Sequence, residues 1–447
     1  MKRRIIILLL AYNLPLLAQE KTGVVSGPML AQVELRTARI WFEAGSDLKS
    51  ATVKYWKEGE KSSSQVPFTK INGYDRFSPM QVEIGSLEMN TRYQYRIMYN
   101  GRETSYTGSF VTKELWQFRK PAPDFSFLAG SCTYFNEPAF DRPGKPYGQD
   151  SSIFSTMANE KADFMLWLGD NWYTREADYS SEWGLWYRAS RDRSMTILQP
   201  FLKAMPHYAI WDDHDFGPND IGSFYHLKDA SRKIFMSYWG NPSYGEDGKG
   251  IYTKLSYSDV DFFLTDDRTW RSPDRMPPTE NGQPNPNKMM FGADQLNWLK
   301  HSLLYSNATF KVIVVGSQVL NPVSAVDKLL DFPFEYNQLI GFIAEQKISG
   351  VLFMTGDRHH SEIIKVNRPG NYPLIDITIS PLTSGSHNFG PEKDNPFRIV
   401  GIDQKQNFGR ISVTGSKGER TLAVVYKDLR GAEIATWSVN EKELKAK

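Results

Sequence analysis

Six short clusters hold most of the side chains able to do chemistry in this sequence. They are Gly130-Ser131-Cys132, Gly169-Asp170-Asn171-Trp172-Tyr173, Asp212-Asp213-His214-Asp215, Asp266-Asp267-Arg268, Gly316-Ser317-Gln318 and Gly356-Asp357-Arg358-His359-His360. Together they offer one thiol, one phenol, several carboxylates and a few imidazoles. A structural zinc site closes with about four ligands, whereas this collection is larger and harder and suits two cations that share a bridging carboxylate. Asp170 and Tyr173 lie three residues apart, close enough to meet one ion together. Phenolate is a hard anionic donor, which favours iron(III) over zinc at Tyr173. Asp213, Asn219 and Asp357 supply oxygen, which suits calcium or magnesium beside it. Each residue also has a plainer reading: Cys132 as a small buried hydrophobe, Tyr173 as an ordinary half-buried tyrosine, Asp212 and Asp215 as helix caps.

Positioning these clusters requires strands, and an apolar run precedes each of them. Phe125–Ala129, Phe164–Leu168, His207–Trp211, Phe262–Leu264, Lys311–Val315 and Val351–Met354 read as buried strands. Helical periodicity fills several gaps: Ile153, Phe154, Met157 and Ala158 behind a Ser151-Ser152 cap, then Leu296, Leu299 and Leu303, then Leu339, Ile340 and Ile343. Strands alternating with helices predict an α/β domain over residues 125–440, and in such sheets ligands collect beyond the carboxyl ends of the strands. Each cluster sits at such an end. Residues 407–439 read as further strands forming a second sheet layer, with Ile411, Val413, Leu422, Val424 and Val425 buried. The polar segment 272–288 reads as a lid or a surface loop. His207, His226, His301 and His387 have no ligand neighbours in sequence and receive no role. His360 faces away from His359 if the strand continues.

In front of this domain, residues 23–113 show short strand-like runs and no helical pattern. Thr91–Ile97 alternates, placing Tyr93, Tyr95 and Ile97 on one face, and Asn100-Gly101 makes a hairpin turn. Strands at this spacing predict a small β-sandwich. The Leu87-x-x-x-Thr91-x-Tyr93-x-Tyr95 stretch resembles fibronectin type III domains. Residues 114–124 form the linker.

Composition narrows the function classes. The 447 residues are 40% hydrophobic and 23% charged, ordinary for a folded protein. A net charge of +2 argues against a polyelectrolyte mode of nucleic-acid binding. Lys2, Arg3 and Arg4 followed by an apolar run to Ala18 read as a secretory signal over residues 1–18, with an uncleaved anchor as the alternative. Its removal leaves a chain close to neutral, with no further segment apolar enough to span a bilayer. Cys132 is the single cysteine, so no disulfide forms within the chain and the fold rests on hydrophobic burial.

Taken together, Gly130-Ser131-Cys132, Gly169-Asp170-x-x-Tyr173, Trp211-Asp212-Asp213-His214-Asp215 and Gly356-Asp357-Arg358-His359 resemble the motifs of the PhoD-like alkaline phosphatases, members of the calcineurin-like metallophosphoesterase superfamily. Phe291-Gly292-x-Asp294-Gln295-x-x-Trp298-Leu299 resembles that family's helix before the penultimate core strand. The resemblance implies a metallophosphoesterase-type two-sheet sandwich with flanking helices behind a fibronectin-III-like domain. Carried over by position, Cys132, Asp170, Tyr173 and His359 would hold Fe(3+), Asp170 bridging to Ca(2+), with Asp213, Asn219 and Asp357 completing the calcium side. His214 would stand near the leaving group, and Arg268 and Arg358 would hold phosphate oxygens. The sequence departs from the family at Asp215, where Glu is common, and in Phe216-Gly217-Pro218 before Asn219. After the first core strand it also lacks the Asp-x-His of the wider superfamily, and it lacks that superfamily's Gly-His-x-His, as PhoD-like members generally do.

The implied activity is hydrolysis of a small phosphate ester, a monoester first and a diester second, by a hydroxide held between the cations in a secreted or periplasmic enzyme. Two alternatives stand beside it. One is a purple-acid-type phosphatase, which shares the front sandwich and the Gly-Asp-x-x-Tyr loop but uses no thiolate. The other is a non-catalytic extracellular module that binds a glycan or a protein.

Overall fold

The structure, a computed structural model, describes residues 22–323 and 327–447; the signal reading at residues 1–18 lies outside them. The front unit pairs two four-stranded sheets. One joins Val24–Val33, Ala38–Ala44, Ser78–Ile84 and Thr69–Lys70; the other joins Ser64–Pro67, Ala51–Lys57, Arg92–Tyr99 and Arg102–Val111. Alternation decides which faces meet. In Arg92–Tyr99, Tyr93, Tyr95, Ile97 and Tyr99 turn inward while Gln94, Arg96 and Met98 do not, and the inward set packs with Ile40, Phe42, Val53 and Val82. Asn100 and Gly101 take φ of 50° and 74°, the left-handed pair that a two-residue hairpin needs.

The larger unit has two sheets around one apolar core. In the first, His207–Ile210, Phe164–Leu168 and Phe125–Gly130 run parallel. Asn407–Thr414 adds to Phe125–Gly130 in antiparallel fashion, followed by Thr421–Asp428 and Glu433–Asn440. The second sheet has seven strands in the order Thr253–Tyr257, Val260–Leu264, Phe310–Val315, Val351–Thr355, Leu374–Thr378, Ser361–Val366 and Arg398–Ile402. Phe127, Leu166 and Ile210 of the first sheet share a core with Phe262, Ile313 and Phe353 of the second. On the outer face of the first sheet, Leu128, Met165, Trp167 and Ala209 pack against helical residues Ile153, Phe154, Trp186 and Phe235. Its parallel strands are therefore buried on both sides, which is why they read as unbroken apolar runs.

Three expectations need correction. The strands after residue 407 do not form a separate layer; they extend the first sheet, because Phe125–Gly130 leaves an open edge that Asn407–Thr414 fills. Val425 is half-buried, since alternation in Thr421–Asp428 turns Leu422, Val424 and Tyr426 inward instead. The Ile153–Asn159 helix gains no side-chain cap from Ser152; Asp150 Oδ1 accepts from the Ser152 N–H instead. The 272–288 segment carries a small hairpin, Thr279–Glu280 with Gln283–Pro284, on the surface.

The two units are bound through a buried aromatic contact. Trp41 of the front unit is fully buried, and its indole N–H donates to the Ser237 carbonyl at 2.7 Å. The Arg193 guanidinium lies over the Trp41 ring. Ser190 donates to Glu43 at 2.8 Å. No helix among the described residues is long and apolar enough to cross a membrane.

Candidate metal centre

The site is built where the ends of the two sheets converge. Trp167 pairs with Gly130 in parallel register, so the loops after both strands leave side by side. The Cys132 N–H donates to the Gly169 carbonyl at 3.3 Å, and the Thr133 N–H to the Asp170 carbonyl at 2.8 Å. From the second sheet, Gly356 follows Val351–Thr355 at a place where a Cβ would lie 2.4 Å from the Leu168 carbonyl oxygen and 2.8 Å from Ser131 Cβ. Glycine is what lets the two sheets approach here.

Beyond these strand ends the backbone is strained. Cys132, Asp170, Asp357 and His359 have φ of 62°, 53°, 67° and 55°. Non-glycine residues rarely enter the left-handed region, at a cost on the order of 1 kcal/mol or more each, and such strain concentrates at functional sites. The conformation aims the four side chains inward rather than along the strands.

The side chains meet closely. Single donor atoms of Cys132, Asp170 and His359 lie within 4.8 Å of one another, as do those of Asp170, Asp213 and His214. Tyr173 donates to Asp170 Oδ2 at 2.8 Å and its hydroxyl lies 3.2 Å from His359 Nε2. Cys132 Sγ lies 3.6 Å from Asp170 Oδ2 and accepts from Ser380 at 3.1 Å. Asp170 belongs to both groups, the position a bridging carboxylate requires. His359 Nδ1 lies 2.7 Å from the Gly385 carbonyl. Because a carbonyl only accepts, Nδ1 carries the proton and Nε2 presents its lone pair to the cluster, the tautomer a metal ligand needs.

Electrostatics set the cluster apart as one that a cation would stabilise. Burial, then Asp213 and Cys132, push the Asp170 carboxyl well above the usual range. Burial pushes the Cys132 thiol up to about 12, with Asp357 adding to the effect. Burial and Asp170 raise the Tyr173 phenol, and burial and Asp327 raise the Asp357 carboxyl. Burial lowers His359 to about 3 and His214 to about 4, so both rings are neutral at pH 7. Several acids are thus crowded together with neutral imidazoles, and a cation would reverse every one of the upward shifts. The first group mixes a soft thiol with hard phenol and carboxylate oxygens and an imidazole, and the second group, around Asp213, is richer in oxygen; both are donor sets able to hold a metal ion.

The remaining predicted residues take distinct places. Asp213 Oδ2 accepts from the Asp220 N–H at 2.8 Å. Asn219 is exposed, and its amide donates to Asp220 at 2.6 Å. The ring of His214 packs on Tyr173 with centroids 4.1 Å apart, and its Nδ1 is buried with no hydrogen-bond partner among the described residues. Arg268 is fully buried; its Nε donates to Asp212 at 2.6 Å and its Nη2 pairs with Asp327 at 2.7 Å. Arg358 pairs with Glu392. Asp212 and Asp215 form a capping box on the short Asp213–Phe216 helix, and Asp215 also accepts from the Asn171 N–H at 2.9 Å. Those two aspartates hold the ligand loops in place.

His360 does turn from His359. Its Nε2 lies 3.5 Å from Glu362 Oε1, in a third buried group with Glu392. There Arg398 pairs with Glu362 and Arg358 with Glu392, so guanidinium charge already balances the acids. Sequence reasoning missed Tyr147, whose hydroxyl lies 3.1 Å from His359 Nδ1, and His387, whose ring stacks on His359 at 4.6 Å. Neither shares a motif with a ligand in sequence. Arg175, beside the cluster, lies two residues after Tyr173, and that spacing was the available signal.

A family description, PhoD-like phosphatase, matches residues 127–421, the span that supplies every residue of this centre. The chain belongs to the PhoD-like phosphatase family. Alkaline phosphatase D of Bacillus subtilis (strain 168) is 24% identical over 327 residues, 63% of this chain and 53% of that protein, so the chain spans about half the length of this curated relative. A solved structure of PhoD superposes with a TM-score of 0.73 at 17% identity, covering 95% of this chain and 90% of that one. A purple acid phosphatase from yellow lupin seeds superposes with a TM-score of 0.66 at 13% identity, covering 92% and 74%. At these identities the two structures share the fold: a mixed α/β, metallophosphoesterase-like architecture.

Proposed function

We propose that this PhoD-like chain is a secreted metal-dependent phosphoesterase that hydrolyses phosphomonoesters, and phosphodiesters as a second class. The observation that carries the reading is the convergence of Cys132, Asp170 and His359 within 4.8 Å from three separate loops, inside a family-matched domain. Cys132, Asp170, Tyr173 and His359 would hold iron(III), and Asp213, Asn219 and Asp357, with Asp170 shared, would hold calcium. These cations would supply an activated water nucleophile and positive charge for the phosphoryl oxygens. The protein's own part is positional. His359 is fixed by its Nδ1 contact, Tyr173 is oriented by Asp170, and neutral His214 keeps an unpaired ring nitrogen for the departing oxygen. Arg268 and Arg358, seated on carboxylates, would tune the charge of the cluster and reach phosphate oxygens only by leaving those partners.

The front unit, read as residues 23–113 and fibronectin-III-like, is assigned a bracing role. Support comes from the Glu88 N–H donating to the Tyr93 hydroxyl at 3.0 Å, a corner bond of the kind such sandwiches use, and from the buried Trp41 contact. Secretion rests on the signal reading at residues 1–18.

The experiment is hydrolysis of an aryl phosphate by purified protein before and after chelation, paired with elemental analysis and a visible spectrum. Loss of activity on chelation, with iron and calcium present and a tyrosinate-to-iron absorption band, is expected. Undiminished hydrolysis by metal-free protein overturns the reading. The purple acid phosphatase superposition favours one rival, a centre without a thiolate. Full retention of iron by Cys132→Ser would select that rival.

A further inference from the structure

Arg175 occupies an unusual electrostatic position for a buried cation. It is 7% exposed. Its Nε donates to the Tyr134 hydroxyl at 3.1 Å, and no carboxylate among the described residues lies within ion-pairing distance of it. Its neighbours are handled differently. Arg188 sits on Asp178 and Glu137, Arg142 on Glu176, Arg268 on Asp212, and Arg358 on Glu392. Burying a cation without a counter-ion is costly, by several kcal/mol in general. Three tyrosine faces offset part of that cost: the guanidinium lies 4.5 Å from the Tyr134 centroid, 5.3 Å from Tyr173 and 5.7 Å from Tyr147. The rings also fix the plane and direction of the guanidinium.

That direction matters because Arg175 lines a cavity of about 230 Å³ together with His214, Asn219 and Tyr147. The cavity therefore reaches the candidate centre through His214, a member of its second group, and is lined by Arg175 as well. It lies below the ~300 Å³ at which drug-sized pockets begin, so it suits a small group. Arg142 and Lys145 also line it and add positive charge, against one lining carboxylate, Asp141, which accepts from the Tyr134 hydroxyl at 2.6 Å. The Arg175 charge is also felt at His214, where it helps to hold the ring neutral.

We propose that Arg175 is an anion-binding residue that takes the phosphoryl oxygens of substrate and product, the missing counter-ion arriving with the ligand. A planar guanidinium can donate two parallel N–H bonds to two such oxygens, which a point-charge ammonium cannot. This assignment rests on the phosphoesterase reading and goes beyond it, because neither Arg268 nor Arg358 has an uncommitted guanidinium facing this cavity.

The test uses metal-loaded wild-type, Arg175→Met and Arg175→Lys proteins, with inorganic phosphate as the probe. Calorimetry gives the phosphate Kd, and inhibition of aryl-phosphate hydrolysis gives a second value. Elemental analysis and thermal midpoints are recorded in parallel. Charge-assisted hydrogen bonds are worth enough for an expected loss of about 30-fold in phosphate affinity in the Met variant, at unchanged metal content, with a raised KM. The Lys variant, which keeps charge and bulk, is expected to fall in between and serves if the Met variant does not fold. Phosphate affinity within about twofold of wild type in either variant overturns the assignment, and a purely structural role would shift the midpoint alone. Wild-type protein that neither binds phosphate nor hydrolyses the ester overturns the phosphoesterase reading and this assignment with it.

Discussion

Loading the centre with the iron(III) proposed for it should release protons, and the protonation of the donor groups sets the minimum number. At pH 7 the Cys132 thiol, pushed up to about 12, and the Tyr173 phenol, raised above its ordinary 10, both carry protons in the ion-free protein. The two histidines carry none to release, since burial lowers His359 to about 3 and His214 to about 4. Binding through thiolate and phenolate must therefore expel at least two protons, one from each, and Asp170 and Asp357 add to that number to the extent that they are protonated. The sign follows directly. Protons and cation compete, so apparent affinity rises with pH while both groups remain protonated in the ion-free state. Two protons give about 100-fold per pH unit, or roughly 2.7 kcal/mol. Calorimetric loading from a weak iron chelate, repeated in buffers of different ionisation enthalpy against a protein-free blank, measures the count. Cys132→Ser and Tyr173→Phe should each lower it by one. A pH-independent affinity, or an unchanged count in both variants, would refute the ligand assignment.

Other predictions concern the frame. Gly169 has φ of 95°, and a Cβ there would meet Asp212 Cβ at 2.7 Å, so Gly169→Ala should cost about 2 kcal/mol or more by denaturant melts and lower metal retention. Trp41→Ala should destabilise the protein by about 3–5 kcal/mol, and it should bring down both units, read as one lowered transition by calorimetry, because Trp41 packs in the core of the larger unit. Glu335 accepts from the N–H groups of Met290, Phe291 and Gly292 at 2.6, 2.8 and 2.8 Å. Glu335→Gln turns one acceptor oxygen into a donor facing those groups, with an expected loss of about 2–3 kcal/mol in a urea titration.

The sequence by itself determined the inventory and its local setting. Apolar runs such as Phe164–Leu168 announced their strands because burial on both faces leaves no room for polar residues. The donor atoms announced a candidate metal centre because thiol, phenol, carboxylate and imidazole at the ends of strands have few other joint uses. Even the capping at Asp212 and Asp215 followed from local chemistry. Tertiary structure alone decided what depends on pairs distant in the chain. Nothing local says that Asn407–Thr414 closes the edge beside Phe125–Gly130, since antiparallel addition depends on which edge is left open. The commitment of Arg268 to Asp212 and Asp327, and of Arg358 to Glu392, is likewise set by charge balance in the buried interior. The same holds for Tyr147 and His387 around His359, and for Arg175, which has no carboxylate partner among the described residues while the neighbouring arginines Arg142 and Arg188 do.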